Sequence, residues 1–203
     1  MTAAQPDQHR LLRVGRRFCR AREGGYAVEF AIVGSLFVIL TLAICQYAMI
    51  FLARDSIALA LQQATRTLLT GSFQQGNAGS TNQAQILQNL RATICGVNLE
   101  SRSWFFRCSD LKLDVRVAGS FSASGSGGAV VDSATQDWAA GFGSTYACPG
   151  PKSIAVVRAA VKYPLFVRSL GFGLSVFADG SALVQSAAVF RVEPYQSGSG
   201  GAC

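Results

Sequence analysis

From Phe30 to Ala53 the chain runs for 24 residues without a charge. As a helix rising about 1.5 Å per residue, that run is about 36 Å long, enough to cross a hydrocarbon core of about 30 Å. A helix inside a soluble core is sometimes as apolar, but rarely so long without a charged residue. The run therefore predicts a transmembrane segment at about residues 30–53. Ahead of it, residues 1–24 carry six arginines (Arg10, Arg13, Arg16, Arg17, Arg20 and Arg22) against only Asp7 and Glu23. Arginines before a membrane helix hold that end in the cytoplasm, which places the remainder of the chain in the periplasm. The net charge of +7 is thus mostly an N-terminal feature. Beyond the membrane run the charges are spread thinly, with no basic face interleaved with aromatics, and no nucleic-acid partner is expected.

The order of small and apolar residues is the reverse of a secretory signal. Such a signal has an apolar core of about 7–15 residues followed by a small-residue cleavage site. Here Gly24 and Gly25 come before the apolar run, and no comparable site follows it. A carboxylate, Glu29, stands near the start of the run. A bare carboxylate in lipid costs a few kcal/mol, so Glu29 needs either a cationic partner or an interfacial position from which it can reach water.

The stretch "REGGYAVEFAIVGSLFVIL" resembles the prepilins of the type IV pilus superfamily. In that pattern a membrane-embedded peptidase cuts on the cytoplasmic side, directly before the apolar helix. A glutamate is fifth and an aromatic sixth in the mature chain. Counting from Gly25, Glu29 is fifth and Phe30 sixth. The resemblance implies a prepilin peptidase acting between Gly24 and Gly25, and a pairing of Glu29 with the new N-terminal amine of a neighbouring subunit. The chain's own amine on Gly25 lies about one turn from Glu29 as well. Cutting after Gly25 instead would make Glu29 fourth.

The match sharpens over residues 26–71, where "AVEFA", the apolar span and a continued helix with Ala64 and Arg66 are similar to the TadE-like family. These are minor pseudopilins of the Tad (tight adherence, Flp) pilus system. The closing stretch "VQSAAVFRVEPY", Val184–Tyr195, fits the same family, whereas residues 71–182 show no matching motif. The resemblance implies an inner-membrane protein whose partners are the prepilin peptidase, other pilins and pseudopilins, and the Tad assembly machinery, with possible entry into the pilus fibre. It implies a pilin-like α+β fold, a long N-terminal helix packed on a small antiparallel sheet.

Along the chain, residues 1–24 form a cleaved leader, 25–70 one long helix and 71–203 the periplasmic head. Past Asp55 the helix turns amphipathic, with Ile57, Leu61, Ala64 and Leu68 at spacings of three and four. Gly71 ends it, followed by a polar loop, "SFQQGNAGSTN". A short helix is expected at 82–94, and strands at Leu111–Val117, Ser153–Phe166 and Ser181–Val192. The glycine-serine stretch Gly119–Gly128 reads as an exposed loop; it lacks the G-K-[ST] ending of a phosphate loop.

Six cysteines are present. Cys19 lies in the leader and Cys45 in the apolar run, while Cys95, Cys108, Cys148 and Cys203 fall beyond the membrane. An even number in an oxidising compartment suggests two disulfides. The favoured pairing is Cys95–Cys108 with Cys148–Cys203, because the alternatives require the tail to reach the first half of the head. Cys203 free, or bonded between subunits, is the competing arrangement. No CxxC pair occurs and His9 is the only histidine, so no metal or other cofactor is expected. No histidine beyond the leader is available as a base for a nucleophile. Asp110 and Asp114 are four apart and read as solvated strand residues, and Trp104, Phe105 and Phe106 as core. The chain is therefore expected to be an assembly protein without a small-molecule substrate rather than an enzyme. A periplasmic binding protein on a plain signal anchor and a pilus-tip adhesin are the alternatives.

Overall fold

The computed structural model describes residues 24–95, 106–171 and 173–195. The leader before Gly24, Trp104, Phe105 and the tail with Cys203 lie outside the described residues. The chain divides into two compact units, residues 1–44 and 45–203.

Helix α1, Gly24–Leu69, is continuous for 46 residues. It contains no proline, and after its first turn Gly34 is the only glycine, so nothing in the backbone interrupts it. From Ala53 onward one stripe is buried: Ala53, Ile57, Leu61, Ala64 and Leu68 are all at most 2% exposed. The helix stops where Gly71 takes a left-handed conformation, φ 77°, the usual glycine position two residues past a helix end.

The polar stretch after Gly71 is not simply a loop. Residues Ser72–Gly76 form a short helix, α2, with Phe73 and Gln74 buried. Gln74 is drawn inward because its Nε2 donates to the carbonyls of Leu68 (2.9 Å) and Pro149 (3.2 Å). It thus adds a second donor to a carbonyl at the end of α1, which also accepts from the Gly71 N–H at 3.4 Å. Helix α3, Gln83–Cys95, starts at Asn82, whose Oδ1 accepts from the Ala84 N–H at 3.1 Å as an N-cap. Its buried residues are Ile86, Leu87, Leu90, Ile94 and Cys95.

Three strands form the main sheet: β1, Lys112–Ala118; β4, Ile154–Tyr163; and β5, Ala182–Arg191. The order is β1-β4-β5, antiparallel throughout, with Val157 opposite both Val115 and Ala188. Between β1 and β4 lies a two-stranded ribbon, β2 (Val131–Asp132) and β3 (Asp137–Trp138), which the sequence pattern does not announce. Leu113, Val115, Val157, Ala159, Val161 and Val184 share one cluster with the buried stripe of α1 and with α3. The fold is α+β, with helices against one face of a small antiparallel sheet.

The opposite face of the sheet departs from the expectation of a wet surface. Asp114 is fully buried. The reason is a third layer: the segment following β1 folds back over this face. Arg158, opposite Asp114 in the register, donates from Nη1 to the Gly128 carbonyl at 2.8 Å and lies over the Phe142 ring at 5.3 Å. Covered on both faces, β4 is buried almost along its whole length. Asp114 Oδ2 accepts from Arg158 Nη2 at 2.7 Å and from Arg116 Nε at 2.8 Å. The glycine-serine stretch Gly119–Gly128 is largely exposed and includes one 3-10 segment, Ser122–Ser126.

The chain's last described residues return to the end of α1. The Glu193 N–H donates to the Leu69 carbonyl at 2.9 Å, and Tyr195 Oη to the Pro149 carbonyl at 3.1 Å. The Tyr195 ring occupies the space that a side chain on Gly71 would need. The end of α1 and the closing stretch Val184–Tyr195 therefore meet in space.

Three substitutions test these contacts, each by thermal unfolding in detergent. Asp114→Ala leaves Arg158, whose side chain is 14% exposed, without its carboxylate, and is expected to cost about 3–5 kcal/mol. Arg116→Ala removes the more exposed partner and should cost below about 1 kcal/mol; equal effects would contradict the burial argument. Gly71→Ala combines a left-handed backbone with collision against Tyr195, and a loss of about 1–3 kcal/mol is expected. An unchanged melting temperature would show that the Tyr195 contact is dispensable.

Candidate functional site

The first candidate is the N-terminal half of α1. From Gly25 to Cys45 no residue is buried. Tyr26 is 81% exposed and Phe30 78%. The most apolar 18-residue window of the helix has none of its residues buried. This exposure suits one of the two readings of an apolar run better than the other. A core helix of a soluble protein hides this surface, whereas a membrane anchor presents it to lipid.

Glu29 lies on this exposed segment, four residues after Gly25 and beside Phe30 in sequence. Among the described residues it has no ion pair. Gly25 has open space around it: a side-chain carbon there would meet nothing within 4 Å. The structure thus places Gly25, Glu29 and Phe30 together on the exposed first turns of α1, which is described from Gly24.

Cys95 and Cys108 are joined in a disulfide, their Cα atoms 6.2 Å apart, tying the end of α3 to the start of β1. Cys148 is disulfide-bonded; the expected partner, Cys203, lies outside the described residues. Cys45 is a free, exposed thiol.

A second cluster sits on the third layer of the head, and none of its members stands out in the sequence as a site residue. Trp138 stacks on Phe142, centroids 5.7 Å apart, and meets Phe177 at 4.9 Å. Lys112 lies 5.0 Å over Trp138, and Lys162 lies 4.4 Å over Phe177. Lys162 Nζ is also 2.8 Å from Asp137 and 3.8 Å from Asp179. Lys112 and Lys162 both come from the outward register of the sheet, so strand alternation is the signal that groups them, once β1 and β4 are known to pair. The cluster borders an open cleft of about 890 Å³ that also includes Arg91, Arg107 and Phe166.

The charges in this cluster are already matched. The Lys162 ammonium, by its hydrogen bond, and then the Trp138 N–H hold the Asp137 carboxyl below the usual carboxylate range. The Ser181 backbone N–H and hydroxyl do the same for Asp179. Carboxyls kept ionised in this way are poor general acids at neutral pH.

Residues 24–66 match the family model described as TadE-like protein. Over that stretch the N-terminal helix is similar to the TadE-like family. The TadE-like stretch begins at the first helical residue, Gly24, and takes in the exposed apolar half together with Ala53, Ile57, Leu61 and Ala64 of the buried stripe. It ends before the sheet, so the closing stretch Val184–Tyr195 is joined to the TadE-like helix by the contacts at Leu69 and Gly71 rather than by the match itself. No curated protein and no solved structure matches the chain.

The head attached to the TadE-like helix offers a pH test. Lys162→Met should raise the Asp137 pKa toward the usual carboxylate range, read by carbon-detected NMR titration, while Asp179, held first by Ser181, moves less. Because the folded Asp137 pKa is depressed, its contribution to stability is present above the unfolded value, about 3.9. It is lost as pH falls through the folded one. An unmoved Asp137 would assign its shift to the Trp138 N–H instead.

Proposed function

We propose that the protein is a minor pseudopilin that takes part in the assembly or initiation of a Tad-type pilus. The observation that carries this reading is the TadE-like match over a helix whose N-terminal apolar half, Gly25–Cys45, has no buried residue. Residues 1–24 act as a basic leader that keeps the N-terminus in the cytoplasm. The apolar run holds the chain in the inner membrane, and the head, residues 71–203, stands in the periplasm, where its disulfides are stable. A prepilin peptidase cuts between Gly24 and Gly25, two residues without side chains, with open space around Gly25.

Cleavage frees an amine on Gly25. In the membrane the Glu29 carboxylate is unfavourable alone, by a few kcal/mol on insertion scales. A neighbour's amine neutralises it and sets the axial register between subunits. The exposed apolar surface then moves from lipid to a bundle of pilin helices. Lipid tails are as apolar as the helix, so packing and this single charge pair, rather than the hydrophobic effect, favour the transfer. The protein acts in this scheme as an assembly component and not as an enzyme.

N-terminal sequencing of the membrane-extracted protein should begin Gly-Tyr-Ala-Val-Glu, and Gly24→Phe should leave the leader attached. A mature chain that retains its arginines would reject the prepilin reading. Glu29→Ala should still insert and be cleaved but fail to support piliation. Normal piliation in that variant would reduce Glu29 to an interfacial charge.

A further inference from the structure

Gln46 is the first buried residue of the described chain, 3% exposed, although it lies inside the uncharged run that ends at Ala53. Its Oε1 accepts a hydrogen bond of 2.8 Å from the Val167 N–H. Val167 belongs to the segment that follows β4, Pro164–Gly171, which closes on itself through a 3-10 turn at Arg168–Leu170. Gln46 and Ala53 are seven residues apart, about 10 Å along the helix axis. The head therefore reaches back alongside α1 over about two turns of the apolar run. Within those turns Ile50 and Met49 pack toward the head core, while Tyr47, Phe51 and Leu52 stay 41%, 62% and 43% exposed.

The same segment carries Phe166, 73% exposed, the most exposed large apolar side chain of the described head outside α1. Its neighbour Leu165 is buried, so the segment is anchored by one apolar side chain and presents the other. Arg168 beside it is exposed. An apolar side chain, a cation and a flanking Tyr47, all next to a membrane-crossing helix, are the chemistry of a bilayer interface.

We propose that the Pro164–Gly171 segment docks the head on the membrane, with Phe166 inserted at the boundary between headgroups and acyl chains and Arg168 among the lipid phosphates. The occupant is lipid because the segment lies beside apolar helix surface that itself requires lipid. The length of α1 agrees. If the head begins at Gln46, the uncovered span is Gly25–Cys45, about 31 Å at 1.5 Å per residue, the thickness of a hydrocarbon core. Gln46 then marks where the helix leaves the bilayer. The head supplies a hydrogen bond to its Oε1 there, while its buried Nε2 finds no partner among the described residues. The inference rests on the reading of α1 as a membrane anchor.

The test uses the full chain in vesicles of phosphatidylcholine and phosphatidylglycerol, with nitroxide labels on single cysteines and Cys19 and Cys45 replaced by serine. The parent without an added cysteine supplies the blank. Labels go at Phe166→Cys, at Leu40→Cys within the apolar run, and at Phe121→Cys, an exposed position of the head distant in sequence from the segment. Collisions are measured with oxygen, which partitions into lipid, and with a water-soluble nickel chelate. The expected result is an oxygen-to-nickel ratio at 166 several-fold above that at 121 and approaching that at 40. A lipid-like reading at 40 with a water-like reading at 166 would overturn head docking while leaving the membrane anchor standing. A label at 166 reached by neither collider would be sealed against protein, and would overturn lipid in favour of a second copy of the chain. A water-like reading at 40 would overturn the anchor, and the docking with it.

Discussion

One helix has to satisfy two different surroundings, and the rest of the structure depends on that. Over Gly25–Cys45 every side chain faces outward, and the surface is apolar with Glu29 as its single charge. Over Ala53–Leu68 the same helix hides a narrow stripe against a sheet and shows polar groups elsewhere. The backbone need not change for this, because a helix satisfies its own hydrogen bonds in lipid and in water alike. Only the side chains change, from apolar all round to apolar on one side. The helix is thus both the anchor and one wall of the head core, and a core built on it cannot form independently of the anchor's last turns.

The head is closed by features that lie far apart in the chain. Gln74 and Tyr195 converge on the Pro149 carbonyl, while Leu69 and Gly71 receive the returning C-terminal stretch. These contacts secure the point where α1 ends, and so transmit the position of the helix to the sheet. The Cys95–Cys108 bridge ties α3 to the start of β1, and in an oxidising compartment it would reinforce the same wall. On the far side of the sheet the buried Asp114 is stabilised by two guanidinium groups, one from its own strand and one from β4. A buried charge of this kind contributes little net stability when complete but penalises any other strand register heavily.

The family match ends close to the end of α1, beyond the point at which the chain divides into its two compact units. The TadE-like stretch covers the helix and stops near its end, whereas the third layer, with Trp138, Phe142, Phe177 and the two lysines, lies outside it. Its aromatic cations are paired internally, which suits a rigid surface better than a reacting one.

The long helix, its apolar half, the amphipathic stripe, Gly71 and the three strands were legible in the sequence because each depends on local periodicity or on the backbone preference of one residue. The positions of Gly25, Glu29 and Phe30 relative to one another were legible for the same reason, since a helix fixes spacing by itself. The burial of Asp114 was not. Alternation correctly put it on the face opposite Leu113 and Val115, but whether that face is wet depends on where the residues after β1 travel, and a glycine-serine stretch carries no periodicity to say so. The ribbon β2–β3 was missed because two-residue strands are too short to show a pattern. The inward turn of Gln74 and the burial of Gln46 were hidden likewise, because their hydrogen-bond partners stand 75 and 121 residues away. The sequence determined what each segment would be, through local spacing. Which polar groups would be taken out of water was decided only by the tertiary structure, because that depends on which distant segment comes to cover them.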